Sequence, residues 1–163
     1  MEIERKYLIK TIPFKLDQFP GRRIRQAYIC TDPVIRVRQR DNDYILTVKG
    51  RGMMVREEVE MPLTRNSFDS LYGKKEGIAI SKTRYLIPED HGYTIELDVF
   101  DQPYEGFIMA EVEFPGEEEA LSFNPPAWFS EEVTTDPRFF NSTLSSNSPE
   151  EADAFMKLLK EEF

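Results

Sequence analysis

Acidic and basic side chains arranged in like-charged pairs are the part of this sequence best suited to chemistry. Glu2 and Glu4 flank Ile3, so a β-strand would place both carboxylates on one face, about 7 Å apart. Like charges at this spacing repel, and a protein tolerates them cheaply only in bulk water or around a cation. The same spacing recurs with both signs in five further blocks: Arg36 and Arg38, Glu58 and Glu60, Lys82 and Arg84, Glu96 and Asp98, Glu111 and Glu113.

These blocks allow three interpretations. An ordinary solvated sheet face usually mixes Lys, Glu and Thr along a strand, whereas like-charged neighbours on one face cost self-repulsion. Pairing between strands of opposite charge would compensate for that cost and give a salt-bridged wall with no function. The third and most specific interpretation is a ligand that binds both the acidic and the basic blocks. Carboxylates hold hard divalent cations, and Arg or Lys binds phosphate oxygens. The sequence has no glycine-rich phosphate loop, so basic side chains would form the anion site themselves.

Composition narrows the classes of function. The 163 residues are 40% hydrophobic and 12% aromatic, enough for one domain with a core. The single Cys30 and the single His91 exclude an internal disulfide, a Cys/His metal site and a Cys/His nucleophilic dyad. A net charge of −9 argues against a nucleic-acid surface, so an anion would bind in a local cavity. The sequence shows no signal peptide and no apolar run of membrane length, which predicts a cytoplasmic protein without a membrane partner.

The elements that would position these charges are mostly β-strands. Polar and apolar residues alternate with a period of two, and short turn sequences separate the runs. Eight strands are predicted: Met1–Ile9, Arg22–Thr31, Val34–Arg40, Tyr44–Lys49, Met54–Leu63, Ile78–Ile87, Tyr93–Asp101 and Phe107–Phe114. Helical spacing and capping residues predict helices after Thr64, over Glu117–Ser122, after Asp136 and after Ser148, the last one packing on the sheet. Hairpin-joined strands with two distinct faces indicate an antiparallel sheet or barrel.

The series of motifs resembles one known family. Glu2-x-Glu4-x-Lys6 is followed in order by Arg36-x-Arg38, Thr47-x-Lys49, Lys82-x-Arg84, Glu96-x-Asp98 and Glu111-x-Glu113. This order is similar to that of the CYTH superfamily, also called triphosphate tunnel metalloenzymes. The family includes inorganic triphosphatases, thiamine triphosphatases, class IV adenylate cyclases and, more distantly, RNA triphosphatases. On this resemblance, residues 1–163 are expected to form a single CYTH domain.

The resemblance implies a mainly β fold of the α+β type, an eight-stranded antiparallel β-barrel tunnel with a charged interior and peripheral helices, including a C-terminal helix. It implies Mg²⁺ or Mn²⁺ bound by Glu2, Glu4, Asp98, Glu111 and Glu113. It implies a triphosphate gripped by Lys6, Arg36, Arg38, Lys49, Arg56, Lys82 and Arg84, with Arg56 alternatively neutralising Glu58. Lys6, Glu4, Arg38 and Tyr28 are the candidate catalytic residues, and Tyr28 is alternatively a plain wall aromatic. Glu58, Glu60 and Glu96 either support the ligands or bind a second ion, and Arg5 is expected to point outward.

The implied function is a metal-dependent triphosphate hydrolase, in first place an inorganic triphosphatase that cleaves tripolyphosphate to pyrophosphate and phosphate. A class IV adenylate cyclase, a thiamine triphosphatase, another nucleoside triphosphatase and a non-catalytic polyphosphate-binding module remain alternatives. ATP and thiamine triphosphate are therefore alternative substrates. The sequence leaves open whether the protein is a monomer or a homodimer.

Overall fold

A computed structural model describes residues 3–50 and 57–163 of the chain. Within these residues, eight antiparallel strands form one sheet, which confirms the predicted fold class. The strands are β1 (Ile3–Leu8), β2 (Gly21–Thr31), β3 (Val34–Arg40), β4 (Asp43–Lys49), β5 (Glu58–Pro62), β6 (Glu76–Pro88), β7 (Thr94–Phe100) and β8 (Ile108–Phe114). The predicted start of the fifth strand, at Met54, lies outside the described residues.

The sheet has the strand order β1-β8-β7-β6-β2-β3-β4-β5, so β1 and β5 are its edges. In the residues that the structure describes, no ladder joins these two edges, which is the one difference from a fully closed tunnel. The free edge of β1 pairs instead with a later part of the chain. Leu8 donates its N–H to Glu131 O and accepts from Ser130 N, while Val133 N donates to Lys6 O. These bonds satisfy backbone groups that an exposed edge would leave unpaired.

Four α-helices accompany the sheet in the described part of the chain: α1 (Arg65–Tyr72), α2 (Glu117–Ser122), α3 (Asn141–Ser146) and α4 (Pro149–Glu162). Two further 3₁₀ turns cover Leu16–Gln18 and Pro137–Phe139. Thus the helix predicted after Asp136 is a single 3₁₀ turn. Among the described residues, no helix is both long and apolar enough to cross a membrane.

Helix caps account for where the predicted helices begin. Thr64 accepts a hydrogen bond from Ser67 N at the start of α1. Ser148 and Glu151 form a reciprocal capping box at the start of α4, which satisfies two backbone N–H groups. Helix α3 was not predicted, because its first turn has no side-chain cap and its sequence is mostly polar.

Two apolar clusters cover the outer face of the sheet. One contains Tyr7 and Leu97 and includes Ala120 of α2. The other contains Val37 and Ala27, packed against Phe68 of α1. Because side chains alternate across a strand, burial of these residues directs the charged residues between them to the opposite face, here called the inner face.

The inner face changes character along the strands. Its apolar end carries four buried residues, each two positions from a charged one: Leu8, Ile80, Phe100 and Met109. Phe139, Leu144 and Phe155 from the C-terminal segment belong to the same cluster. The C-terminal segment therefore covers one end of the inner face, and α4 packs on the sheet as predicted. The charged residues occupy the remaining part.

Candidate functional site

The strand register brings acidic side chains of the inner face together at β1, β8 and β7. Glu4 lies opposite Glu113, and Lys6 lies opposite Glu111. Glu111 is also opposite Glu96 on β7. Two of these three pairings therefore set a carboxylate against a carboxylate. Lys6 partly compensates, with its Nζ 3.5 Å from Glu4 Oε1 and 4.0 Å from Glu111 Oε1.

Lys82 and Asp98 form the buried centre of the inner face, where the half-buried Arg84 contacts them. Lys82 Nζ lies 2.7 Å from Asp98 Oδ2, and Arg84 donates from Nε and Nη2 to the two Asp98 oxygens at 2.7 and 2.9 Å. Burial alone would raise the pKa of Asp98, but Lys82 and Arg84 outweigh it and hold the pKa below its ordinary value. Burial lowers the pKa of Lys82. Both Asp98 oxygens are thus bonded to basic groups, and metal ligation by Asp98 stays a prediction that requires these bonds to rearrange.

Arg84 extends this network toward the acidic group. Its Nη1 lies 2.6 Å from Glu96 Oε2, and its Nη2 lies 3.7 Å from Glu111 Oε2. Burial would lower the pKa of Arg84, but its hydrogen bonds to Asp98 and the nearby carboxylates raise it above its ordinary value. Arg84 is therefore held as a cation between the three carboxylates.

A divalent cation suits the chemistry of the acidic group. Within residues 3–50 and 57–163, no three carboxylates converge in the geometry of a formed metal site, and Glu2 lies outside the described residues. The donors nevertheless fit a hard cation. Burial raises the pKa of Glu111, and the charges of Asp98 and Glu4 raise it further. Such a shift marks a carboxylate that lacks enough neutralising charge, which an oxygen-bound cation would supply.

The basic half of the inner face lies on β3, where two guanidinium groups form no ion pair with a carboxylate in residues 3–50 and 57–163. Arg38 donates from Nε to Gln26 Oε1 at 2.9 Å. The Nε of Arg36 is buried and has no hydrogen-bond partner among the described residues. Burial, together with the charges of Arg36 and Arg84, lowers the pKa of Arg38 to about 10. A bound anion would relieve all of these effects at once.

The remaining candidates lie on β2, β4 and β5. Tyr28 is mostly buried and lies opposite Arg36. Lys49 lies opposite Glu58. Thr47 is buried between Arg36 and Glu60, accepting from Arg36 Nη2 at 3.5 Å and donating to Glu60 Oε1 at 3.4 Å. Through Thr47, these contacts join Arg36 of β3 to Glu60 of the edge strand β5.

Two of the predicted site residues, Glu2 and Arg56, lie outside the described residues. Arg5 points to the outer face, where it donates to both carboxylate oxygens of Glu132 and to Ala120 O. Sequence reasoning did not single out Gln26. Its position two residues before Tyr28 was the available signal, because that spacing places both side chains on one face of β2.

Comparisons with known proteins agree with one another. The CYTH domain family matches residues 1–140. An inorganic triphosphatase of Nitrosomonas europaea is 39% identical over 152 residues, which cover 91% of this chain and 99% of that protein. An inorganic triphosphatase of Acetivibrio thermocellus is 35% identical over 151 residues, covering 90% and 94%. A crystal structure of an inorganic triphosphatase superimposes with a TM-score of 0.78 at 36% identity, covering 91% of this chain and 97% of that chain.

Proposed function

The chain belongs to the CYTH domain family, and on this premise we propose that it is an inorganic triphosphatase that cleaves tripolyphosphate to pyrophosphate and phosphate. The names of both curated relatives support this assignment. The observation that carries it is the pair of half-buried guanidinium groups on β3, Arg36 and Arg38, which form no ion pair with a carboxylate among the described residues. Tripolyphosphate supplies dense negative charge and acceptor oxygens, which these cations need.

In this proposal, two groups of basic side chains on the inner face bind the phosphates from opposite sides. Arg36, Arg38 and Lys49 bind from β3 and β4, and Lys6, Lys82 and Arg84 bind from β1 and β6. Arg56 joins them as an expectation that lies outside the described residues. Tyr28 donates its hydroxyl to a phosphate oxygen beside Arg36. Contacts on all sides hold the triphosphate in one orientation relative to the attacking water.

The family implies a divalent cation, and we propose Mg²⁺ or Mn²⁺ held by Glu2, Glu4, Asp98, Glu111 and Glu113, with Glu96, Glu58 and Glu60 supporting it or holding a second ion. When bound, the cation neutralises phosphate oxygens near the acidic group. Glu4, whose Oε1 is 3.5 Å from Lys6 Nζ, orients the attacking water. Water forms the new P–O bond as the bond to the bridging oxygen breaks, and Arg38 and Lys6 stabilise the charge that moves to the departing pyrophosphate.

We also propose that the functional unit extends beyond the family match, which ends at residue 140. Phe155 of α4 packs edge-on against Phe107 and Phe139, with ring centroids 5.3 and 5.4 Å apart. These contacts make α4 part of the cluster that covers the apolar end of the inner face. Residues 1–163 then form one domain.

Release of phosphate from tripolyphosphate tests the assignment. We expect activity with added Mg²⁺ or Mn²⁺, loss of activity in excess chelator, and a large loss in Glu4→Gln. Glu161→Gln changes an exposed residue of α4 by the same chemistry and should behave as wild type. Full activity in excess chelator would refute the metal-dependent mechanism. Binding of tripolyphosphate without phosphate release would instead favour the non-catalytic binding module.

A further inference from the structure

Gln26 occupies a boundary on the inner face. It lies opposite Arg38 on β3 and opposite Ile80 on β6. Arg38 belongs to the charged part, whereas Ile80 belongs to the apolar cluster that the C-terminal segment covers. Gln26 itself is 0% exposed. A fully buried amide at the apolar limit of an otherwise charged site needs partners for both of its ends.

The orientation of the Gln26 amide is fixed by its neighbour. Arg38 Nε donates to Gln26 Oε1 at 2.9 Å. A guanidinium group has only donors, so the amide oxygen must face Arg38 and the amide nitrogen must face away. Within the described residues, Gln26 Nε2 is buried and has no hydrogen-bond partner. The site therefore contains an oriented N–H donor that no group in the described part of the chain uses.

Gln39 on β3 provides an internal comparison. It also accepts a guanidinium bond, from Arg25 Nε at 2.8 Å. Its own Nε2, however, donates to Asp41 O at 2.8 Å and contacts Tyr44 Oη at 3.4 Å. In this second Arg–Gln pair, both the oxygen and the nitrogen of the glutamine amide have hydrogen-bond partners. Of these two amides, the one on the inner face has a buried N–H donor without a partner among the described residues.

We propose that Gln26 is a substrate-binding residue whose Nε2 donates a hydrogen bond to the phosphate nearest the apolar end of the inner face. Its Oε1 meanwhile occupies Arg38 Nε, which leaves the two Nη groups of Arg38 to bind the same phosphate. This inference rests on the proposed triphosphatase function and extends it. The ligand at this position is an oxyanion that offers only acceptors, because both protein groups facing it are donors.

Two substitutions separate donation by Gln26 from mere positioning of Arg38. Gln26→Glu keeps an oxygen for Arg38 Nε but replaces the donor with a negative charge. Gln26→Leu removes both groups. Direct donation predicts that Gln26→Glu lowers kcat/KM at least as much as Gln26→Leu, by about 10² to 10³. Positioning alone predicts that Gln26→Glu retains activity and that only Gln26→Leu is impaired. Gln39→Glu and Gln39→Leu, on the outer face, are the matched controls and should leave kcat/KM within about threefold of wild type.

A measurement on the wild-type protein avoids any folding defect of the variants. With ¹⁵N-labelled glutamine and excess chelator, tripolyphosphate should shift the side-chain amide protons of Gln26 and leave those of Gln39 unchanged. An unchanged Gln26 amide at saturating tripolyphosphate, or wild-type kinetics of Gln26→Glu, overturns this inference while hydrolysis by the wild type upholds the proposed function. A wild-type protein that neither binds nor hydrolyses tripolyphosphate overturns both.

Discussion

The ammonium group of Lys82 lies 2.7 Å from the carboxylate of Asp98, and their side chains are 1% and 0% exposed. A buried ion pair of this kind seldom adds net stability, because removing both charges from water costs as much as their attraction returns. Asp98 also binds Arg84 through two oxygens. We interpret Asp98 as the residue that orients Lys82 and Arg84 on the inner face, and its proposed ligation of a divalent cation would require these bonds to rearrange.

Removing this carboxylate should destabilise the fold. Asp98→Asn leaves Lys82 without its closest counter-charge and removes one of the carboxylates that Arg84 binds. Breaking a buried pair costs about 3–5 kcal/mol of unfolding free energy. Urea denaturation in chelator measures this loss. Asp153→Asn, at an exposed position of α4, is the control and should stay within about 0.5 kcal/mol of wild type. A stability of Asp98→Asn near wild type would contradict the interpretation.

Glu111 should make stability depend on pH in the opposite sense to most carboxylates. Its pKa is raised in the folded protein from the ordinary value of 4.5. The folded state therefore holds this proton more tightly than the unfolded chain, so the Glu111 contribution to stability falls as pH rises from about 4.5 through the folded pKa. Glu111→Gln cannot ionise, and its stability relative to wild type should increase over that range in chelator.

Urea denaturation of both proteins at pH values from about 4 to about 7 checks this expectation. Glu161→Gln removes an exposed carboxylate and should show no such trend. A difference between wild type and Glu111→Gln that is constant across this range would contradict the proposed crowding of Glu111 by Asp98 and Glu4.

The period of two was enough to predict the inner face. Burial of Tyr7 and Val37 on the outer face fixes the direction of Lys6 and Arg38, and the pleat of a strand allows no other arrangement. The pairing of Ser130 and Glu131 with the free edge of β1 could not be predicted, because it joins segments far apart in sequence. Such pairing depends on how the whole sheet is assembled rather than on local patterning.

Individual contacts of the site could not be predicted from the sequence either. The spacing of Lys82, Arg84 and Asp98 places them on one face but does not say which cation binds which oxygen, because long side chains adopt many rotamers. Gln26 escaped notice for a related reason. A neutral amide carries no charge pattern, and the role proposed for Gln26 rests on its Nε2, which has no hydrogen-bond partner in the residues that the structure describes.

Arg38 should matter for activity far more than for stability. Its pKa is lowered to about 10, so keeping Arg38 charged in the folded protein costs free energy until an anion binds. Arg38→Ala should lower kcat/KM by about 10² to 10³ and abolish the rise in melting temperature that tripolyphosphate causes in chelator. The melting temperature without ligand should change little.

The control for Arg38 has to be a cation without structural contacts of its own. Arg5 is unsuitable, because on the outer face of β1 it donates hydrogen bonds to Glu132 and to Ala120 O. Arg65, the exposed first residue of α1, is a better choice, and Arg65→Ala should keep both activity and the ligand-induced shift. Equal effects of Arg38→Ala and Arg65→Ala would mean that β3 does not bind the substrate.

The last prediction concerns the class of substrate. Recognition of a nucleobase or of thiamine needs an aromatic or apolar pocket beside the phosphates. Among the described residues, Tyr28 is the only aromatic side chain that the strands contribute to the charged part of the inner face, and Phe140 approaches Lys6 Nζ with its ring centroid 5.4 Å away. Phe139 and Phe155 are committed to the apolar end. We therefore expect kcat/KM for tripolyphosphate to exceed that for ATP or thiamine triphosphate by about tenfold or more.

Phosphate release from the three substrates, with product analysis for cyclic AMP from ATP, measures this preference. Formation of cyclic AMP faster than phosphate release would make the protein a cyclase built on the same fold.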